Sequence, residues 1–364
     1  MMLKFIYIDD DVDPSKKIKW FEDNVFKIEV YRPKDSWELQ FDCFSNQRKI
    51  DGLILDLKLD DFPNENGKRA KFRGTSIAQE IRTRQKEGVL DSFPIVLFSA
   101  NENIEKLMEN SGRDLFDICI DKNSIEDEDF PEYRRQMLAL ANGYNRLGTE
   151  TIESIFNVNL SNVDSRFVSE IESIREQPVH VKARFILDEF INKQGLLINE
   201  EVLAARLGVD REKSNDWNSV LEQLKVARYN GVFASGWNRW WMSMVEKWWK
   251  NAINSDVRVR SISASDRVTL IKEALHLSGL IAANRLDKAD SDEFWTVCKA
   301  LNKPIDTIDG LLIEGQDNLY PWQESEYVSI EAALNRTNID VWKRLADIEK
   351  ERYNDLKIFY KPQK

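Results

Sequence analysis

From Leu3 to about Asn123 the chain alternates short apolar runs with amphipathic stretches, the pattern of a parallel sheet covered by helices. The spacing predicts five strands: Lys4 to Ile8, Lys27 to Tyr31, Gly52 to Leu55, Ile95 to Phe98 and Ile118 to Ile120. The runs Gly52-Leu-Ile-Leu55 and Ile95-Val-Leu-Phe98 carry no polar side chain, as strands buried on both faces require. Helices are expected near Ser15 to Asp23, Ser36 to Phe44, Ser76 to Glu87 and Asn103 to Glu109, with a fifth over Glu132 to Asn145. The expected fold class is α/β, a doubly wound five-stranded parallel sheet, in a domain spanning 1–147.

Past Gly148 the strand signals fade, and a mostly α-helical domain is expected over 148–364, with helix caps at Ser265-Asp266 and Asp290. An amphipathic helix is expected from Asp266 to Arg285, and a long one from Asp340 to Tyr360 on the spacing of Val341, Leu345, Ile348 and Tyr353. Segment 196–233 has the outline of a degenerate winged helix-turn-helix: Asn199 to Val209, a turn at Gly208, Ser214 to Leu224, and a hairpin at Gly231-Val-Phe233. Its second helix sets Glu212, Asp216 and Glu222 against Lys213, and carboxylates facing phosphates disfavour contact with DNA. In the stretch Gly236 to Lys250, Trp237, Trp241, Met244 and Trp248 fall on one helical face and are expected to fill a core. The excess, Trp237, Trp240 and Trp249, is a candidate interaction face for a partner protein or a stacking platform for single strands, flanked by Lys247, Lys250, Arg258 and Arg260.

Composition narrows the chemistry. The 364 residues are 42% hydrophobic and 32% charged, enough apolar side chain for one or two cores. No apolar run approaches the roughly 20 residues of a membrane-spanning helix, and the start lacks the features of a secretory leader, so a cytosolic protein with no membrane role is expected. The net charge of −11 weighs against nonspecific binding to nucleic acid or anionic lipid. Cys43, Cys119 and Cys298 are widely spaced, as reduced thiols rather than a disulfide framework, and His180 and His276 are the only histidines. His180 is expected to pack at a helix start, and His276 to be a surface or half-buried helix residue without a metal partner. The chain has no phosphate-cradling Gly-rich loop, no Gly-x-Ser-x-Gly turn and no HExxH motif, so no catalytic output is expected.

What remains is a constellation at the strand ends. Asp9, Asp10 and Asp11 follow the first strand, Asp56 the third, Ser99 the fourth and Lys122 the fifth. An open parallel sheet puts its ligands beyond the carboxyl edge of its strands. Carboxylates crowded there repel one another, which makes physical sense when a hard dication such as Mg2+ sits among the oxygens.

Together the segments Phe5-Ile-Tyr-Ile-Asp-Asp10, Asp51-Gly-Leu-Ile-Leu-Asp56, Phe93-Pro-Ile-Val-Leu-Phe-Ser-Ala100 and Phe116-Asp-Ile-Cys-Ile-Asp-Lys122 resemble the receiver domain of two-component response regulators. The resemblance covers roughly Met1 to Asn145 and implies a flavodoxin-like receiver. It implies that Asp56 is the phosphoacceptor for a partner histidine kinase or phosphotransfer protein. It also implies Mg2+ held by Asp9, Asp10, Asp56 and the backbone carbonyl of Lys58. Ser99 and Lys122 would bind the phosphoryl group, with the small Ala100 leaving access, and Lys58 and Asn101 would tune its hydrolysis. The only chemistry implied is the protein's own phosphorylation and dephosphorylation, with an unidentified effector reached through the second domain.

Three departures qualify the resemblance. Leu57 to Arg73 is about ten residues longer than the usual loop, and is either a functional lid or a tolerated insertion; Cys119 stands where an aromatic switch residue is common; Asn123 replaces a common proline. A DNA-binding transcription factor and a phosphate sink for a kinase are the alternative readings, and dimerisation is left open.

Overall fold

The computed structural model describes residues 2–45, 50–100, 104, 112–253 and 256–360. Two compact units are present: 1–188 with 230–237, and 189–229 with 238–364.

The first unit is built on strands β1 (Leu3–Ile8), β2 (Phe26–Tyr31), β3 (Gly52–Leu55), β4 (Ile95–Ser99) and β5 (Ile118–Asp121). All pair in parallel, in the order β2-β1-β3-β4-β5. Along β1 the side chains alternate between faces. Ile6 and Ile8 join Leu53, Leu55, Ile77 and Ile81 in one apolar cluster beside the helix Gly74–Lys86. Phe5 and Tyr7 lie among the aromatic rings of Phe26 and Phe98. Phe21 continues that group, with Phe98 at 5.7 Å and Phe130 at 4.7 Å between ring centroids.

The helices follow the expected pattern with shifted ends: Ser15–Ile18 with a 3-10 turn to Phe21, Trp37–Ser45, Gly74–Lys86 and Phe130–Thr149. The helix expected at Asn103 to Glu109 lies outside the described residues, apart from Ile104. The compact unit does not stop at 147. Helices Ile152–Phe156, Ser165–Ser173 and Val179–Ile186 continue it to Asp188, the last lying against Phe130–Thr149.

A buried charge cluster ties the sheet to two helices. The Arg82 guanidinium, 5% exposed, donates to Asp117 at 2.8 Å and to the carbonyl of Phe93 at 3.1 Å. The Tyr144 hydroxyl donates to Asp117 at 2.6 Å, and the Ile95 amide donates to it at 2.7 Å.

The second unit is largely helical, with short antiparallel pairs such as Leu197–Ile198 with Trp240–Trp241 and Gly310–Leu312 with Tyr327–Ser329. Its main core gathers Leu203, Leu207, Val220, Trp240, Trp248, Trp249 and Ile271.

Several expectations are corrected here. The expected hairpin is reduced to a single antiparallel bridge, Arg228 with Trp240, around the turns of 230–237; those turn residues belong to the first unit, where Gly143 leaves room for the Phe233 ring. A Cβ at Gly143 would come within 2.1 Å of that ring. The second helix of the outline is short, Trp217–Gln223, and Lys213 and Lys225 next to it are paired with Asp210 and Glu222. The Trp-rich stretch is not one helix. Trp240 and Trp241 sit in a strand, the helix begins at Met242, and Met244 is 38% exposed. Trp237, Trp240 and Trp249 are 8%, 3% and 3% exposed, so they form no open interaction face. Ser263 caps a helix Ala264–Leu275 that stops at His276 in the left-handed region, short of Arg285. No helix follows Asp290, where the chain leads into the strand Thr296–Val297. The run from Asp340 to Tyr360 is broken into Ile339–Trp342, a 3-10 turn and Lys350–Phe359, with Val341 and Ile348 exposed. Among the described residues no helix is long and apolar enough to cross a membrane.

Removing Asp117 strands a buried guanidinium, so Asp117→Ala is expected to cost on the order of 3–5 kcal/mol in urea unfolding of the first unit. Tyr144→Phe, which deletes one hydrogen bond to a charged group, should cost about 1.5–3 kcal/mol.

His180, near the start of helix Val179–Ile186, supplies a pH signature. Burial first, then the cations Arg82, Arg184 and Lys86, lower its pKa to about 4, and its Nδ1 is buried without a partner. The unfolded chain therefore takes up the proton at higher pH, and this group's contribution to stability is full above about 6.5 and lost as pH falls toward 4. The urea midpoint of wild type minus that of His180→Gln should decrease steadily as pH falls from 7 to 4. A constant difference would contradict the assignment.

Candidate functional site

Parallel pairing brings the strand ends into one cleft. Ile8 stands opposite Leu55, so Asp9, Asp10 and Asp56 emerge side by side, and the Asp56 amide donates to the Ile8 carbonyl at 3.1 Å. The chain order of the strands reverses between β1 and β3, which makes this the topological switch point where open α/β sheets bind ligands. Ser99 closes β4 and Lys122 follows β5, its amide donating to the Ser99 carbonyl at 2.9 Å.

One oxygen from each of Asp9, Asp10 and Asp56 falls within 4.8 Å of the others. Asp9 and Asp10 are 1% and 4% exposed. The Lys122 ammonium spans the cluster, bonded to Asp9 and, at 3.0 Å, to Asp56 Oδ2. It lies 5.7 Å from the Tyr7 ring centroid and 5.5 Å from that of Phe98. The Ser99 hydroxyl donates to the other Asp56 oxygen, Oδ1, and so does the Leu57 amide, at 2.7 Å.

The charges show the strain of this crowding. Burial pushes the Asp56 carboxyl above the usual carboxylate range; the Lys122 ammonium pulls it back, and Asp9 adds to the rise. Burial also raises Asp10, against the Phe62 amide, which donates to its Oδ2 at 2.7 Å. For Lys122, burial opposes the charged form, but Asp56 and Asp9 outweigh it and the pKa is raised. Each group is thus held by the others, and a hard cation among three carboxylates would relieve the excess negative charge. The donor set fits Mg2+: all oxygen, with a compact ammonium on one side.

The remaining predicted residues fall into place unevenly. Ala100 follows Ser99 directly and is partly buried. Lys58 lies two residues past Asp56, with its ammonium 3.6 Å from Asp61. Asn101 lies outside the described residues. Asp11 is exposed, and its amide donates to Asp9 Oδ1 at 2.9 Å. Cys119 is half-buried, packed against the core cluster beside the helix Gly74–Lys86.

Two groups escaped the sequence reading. The Tyr7 hydroxyl donates to Asp9, and burial then Asp9 raise its pKa well above normal, so it remains a donor. The signal was available: residues 5, 7 and 9 share one face of a strand. The second is the Phe62 amide in the long loop, which reaches Asp10 across 52 positions of chain, a contact for which the sequence holds no local signal.

No family model and no curated protein matches the chain. Solved structures do match its N-terminal part. The fold is flavodoxin-like. An adenylate cyclase structure from Rhodopirellula baltica is 12% identical, covering 39% of this chain and 91% of that one, at a TM-score of 0.29. A response regulator receiver domain protein from Clostridium thermocellum is 16% identical, covering 41% of this chain and 100% of that one, at 0.29. The N-terminal signal receiver domain of a two-component response regulator from Bacteroides fragilis is 15% identical, covering 39% and 98%, at 0.28. Likeness at this level carries no chemistry with it, so the reading of the site rests on its side chains.

Asp10→Asn keeps an oxygen for the Phe62 amide but removes a charge from the cluster. In metal-free buffer its unfolding midpoint at pH 7 should not fall below that of wild type, while calorimetric titration with Mg2+ should show affinity lowered on the order of tenfold or more.

Proposed function

We propose that the first unit is a phosphoacceptor module of the response-regulator type, in which Asp56 takes a phosphoryl group from a phosphohistidine of a partner kinase or phosphotransfer protein. The observation that carries this reading is the grip on Asp56: Lys122 on one carboxylate oxygen, Ser99 on the other, and Asp9 and Asp10 close by. A buried carboxylate so placed is an oriented nucleophile.

In the reaction an Asp56 oxygen bonds to phosphorus as the P–N bond to the donor imidazole breaks. The electron pair of that bond leaves with the imidazole, which is neutralised by its proton, and an acyl phosphate remains on Asp56. Asp9, Asp10, Asp56 and the Lys58 carbonyl would hold Mg2+, which when bound offsets negative charge on the transferring group. Lys122 stays in the cleft as the ammonium that pairs with a phosphoryl oxygen once Asp56 is phosphorylated, and the Ser99 hydroxyl turns from the carboxylate to a second one. Ala100 beside Ser99 adds no bulk at the entrance. The protein's own chemistry in this reading is confined to gaining and losing that group, in the cytosol, where ATP-driven kinases supply it.

The second unit, in the same proposal, conveys the signal through contact with another protein. Its short helix Trp217–Gln223 lies between paired lysines, which supports a protein partner over DNA.

Incubation with acetyl phosphate and Mg2+ should add one phosphoryl group to the wild type, detected by intact-protein mass spectrometry. The adduct should be labile to hydroxylamine, as an acyl phosphate is, and Asp56→Asn should gain none. Equal labelling of the variant would sink the assignment.

A further inference from the structure

The seventeen residues from Leu57 to Arg73 are not a loose excursion from the site. Leu59 is fully buried and Ala70 is 6% exposed, both in the core cluster, and the Phe72 ring lies 5.2 Å from that of Trp37. Between these anchors the loop closes on itself. The Asn64 side chain accepts from the amides of Asn66 and Lys68, its own amide donates to the Lys68 carbonyl at 2.7 Å, and Gly67 takes φ +70°. Lys68 is fastened outward to Asp35 at 2.7 Å. At the far end, Gly74 presses on the Asp56 backbone so closely that a Cβ there would meet the Asp56 carbonyl oxygen at 2.0 Å.

The crest of this loop, Phe62, puts its amide on Asp10 Oδ2. Arg32, the residue after β2, holds that crest in place. Its guanidinium donates to the Pro63 carbonyl at 2.9 Å, to the Asp11 carbonyl at 2.9 Å and to the Val12 carbonyl at 3.2 Å. One planar fork therefore joins the segment that carries Asp9 and Asp10 to the segment that carries the Phe62 amide. Only a guanidinium has donors set widely enough to reach two carbonyls on one side and a third on the other.

We infer that Arg32 is a positioning residue for the cation site: by clamping the 57–73 loop onto the Asp11-Val12 backbone, it keeps the Phe62 amide on Asp10 Oδ2 and so fixes the orientation of the Asp10 carboxylate. This rests on the reading of the cleft as a metal-dependent phosphoacceptor site. Arg32 touches neither Asp56 nor Lys122, so its effect belongs to metal affinity and not to the phosphoryl transfer step. Groups that orient a metal-ligating carboxylate typically change affinity by about 10- to 100-fold when removed.

Mg2+ titrations by calorimetry on the full chain compare wild type, Arg32→Ala and Arg32→Lys, alongside the metal concentration that half-saturates labelling by acetyl phosphate. For Arg32→Ala, Mg2+ affinity should fall about tenfold, half-saturation should move by the same factor, and the labelling rate at saturating Mg2+ should stay within about twofold of wild type. Arg32→Lys keeps the charge, guards against misfolding of the alanine variant, and should recover only part of the affinity, because one ammonium cannot bridge both segments. Wild-type affinity in either variant, or an unchanged half-saturation with a slower maximal rate, overturns the positioning role while leaving the phosphoacceptor reading intact. Failure of the wild type to bind Mg2+ and to label overturns both.

Discussion

The architecture of the first unit turns on electrostatic crowding: three carboxylates share a cleft within 4.8 Å, and one ammonium answers them. Burying charges of like sign is costly, and a single lysine offsets only part of the cost. The raised Asp56 and Asp10 carboxyls and the raised Lys122 ammonium are two aspects of the same imbalance. A cleft tuned only for stability would replace such a cluster with apolar or neutral side chains, since unpaired buried charge lowers stability without improving packing. The charged groups come from three separate chain segments, after β1, β3 and β5, with Ser99 of β4 beside them, an arrangement a cation site would need.

The surroundings deepen that argument. Donors meet the carboxylates from several sides: Tyr7 and Lys122 on Asp9 Oδ2, the Asp11 amide on Asp9 Oδ1, Phe62 on Asp10 Oδ2, Leu57 and Ser99 on Asp56 Oδ1, and Lys122 on Asp56 Oδ2. Donors from strand, loop and following residue fix the carboxylates in direction, and fixed oxygens bind a small, hard cation better than mobile ones because less ordering remains to be done on binding. The insertion after Asp56 thus adds to the site. It contributes an amide to Asp10, and Arg32 keeps that amide in register.

Legibility in the sequence followed how local the determining forces are. The five strands could be read because a strand buried on both faces must be apolar throughout, and Gly52 to Leu55 and Ile95 to Phe98 satisfy that without reference to the rest of the chain. The cleft could be read for a related reason: in a parallel sheet every strand ends at the same edge, so Asp9, Asp56, Ser99 and Lys122 are gathered by topology alone. Tyr7 follows from strand alternation, which sets it on the same face as Asp9. The Phe62 amide, Arg32 and the Arg82–Asp117–Tyr144 cluster could not be read, because they join residues tens of positions apart through backbone atoms or buried charge that no periodicity records.

The second unit shows the converse error, where a periodic pattern was real but its consequence was misjudged. Tryptophans do recur at spacings of three and four, yet excess aromatic area counts as a sticky face only if the core is already full. Here it is not. Trp240 pairs in a strand opposite Ile198, Trp241 packs on Phe190 and Tyr229, and Trp249 turns its indole N–H to the Val257 carbonyl at 2.9 Å. The same unit buries two guanidinium groups, Arg206 and Arg267, against backbone carbonyls: Arg206 donates to Trp295 at 3.0 Å, and Arg267 to Phe294 at 2.7 Å. Between its helices, this unit uses arginine forks and indole N–H groups to satisfy carbonyls in its loops. Counting exposed charge or aromatic residues along its sequence therefore overstates what its surface offers. The side chains that remain outside include charged ones such as Glu246, Lys247 and Lys250 and apolar ones such as Ile348 and Phe359.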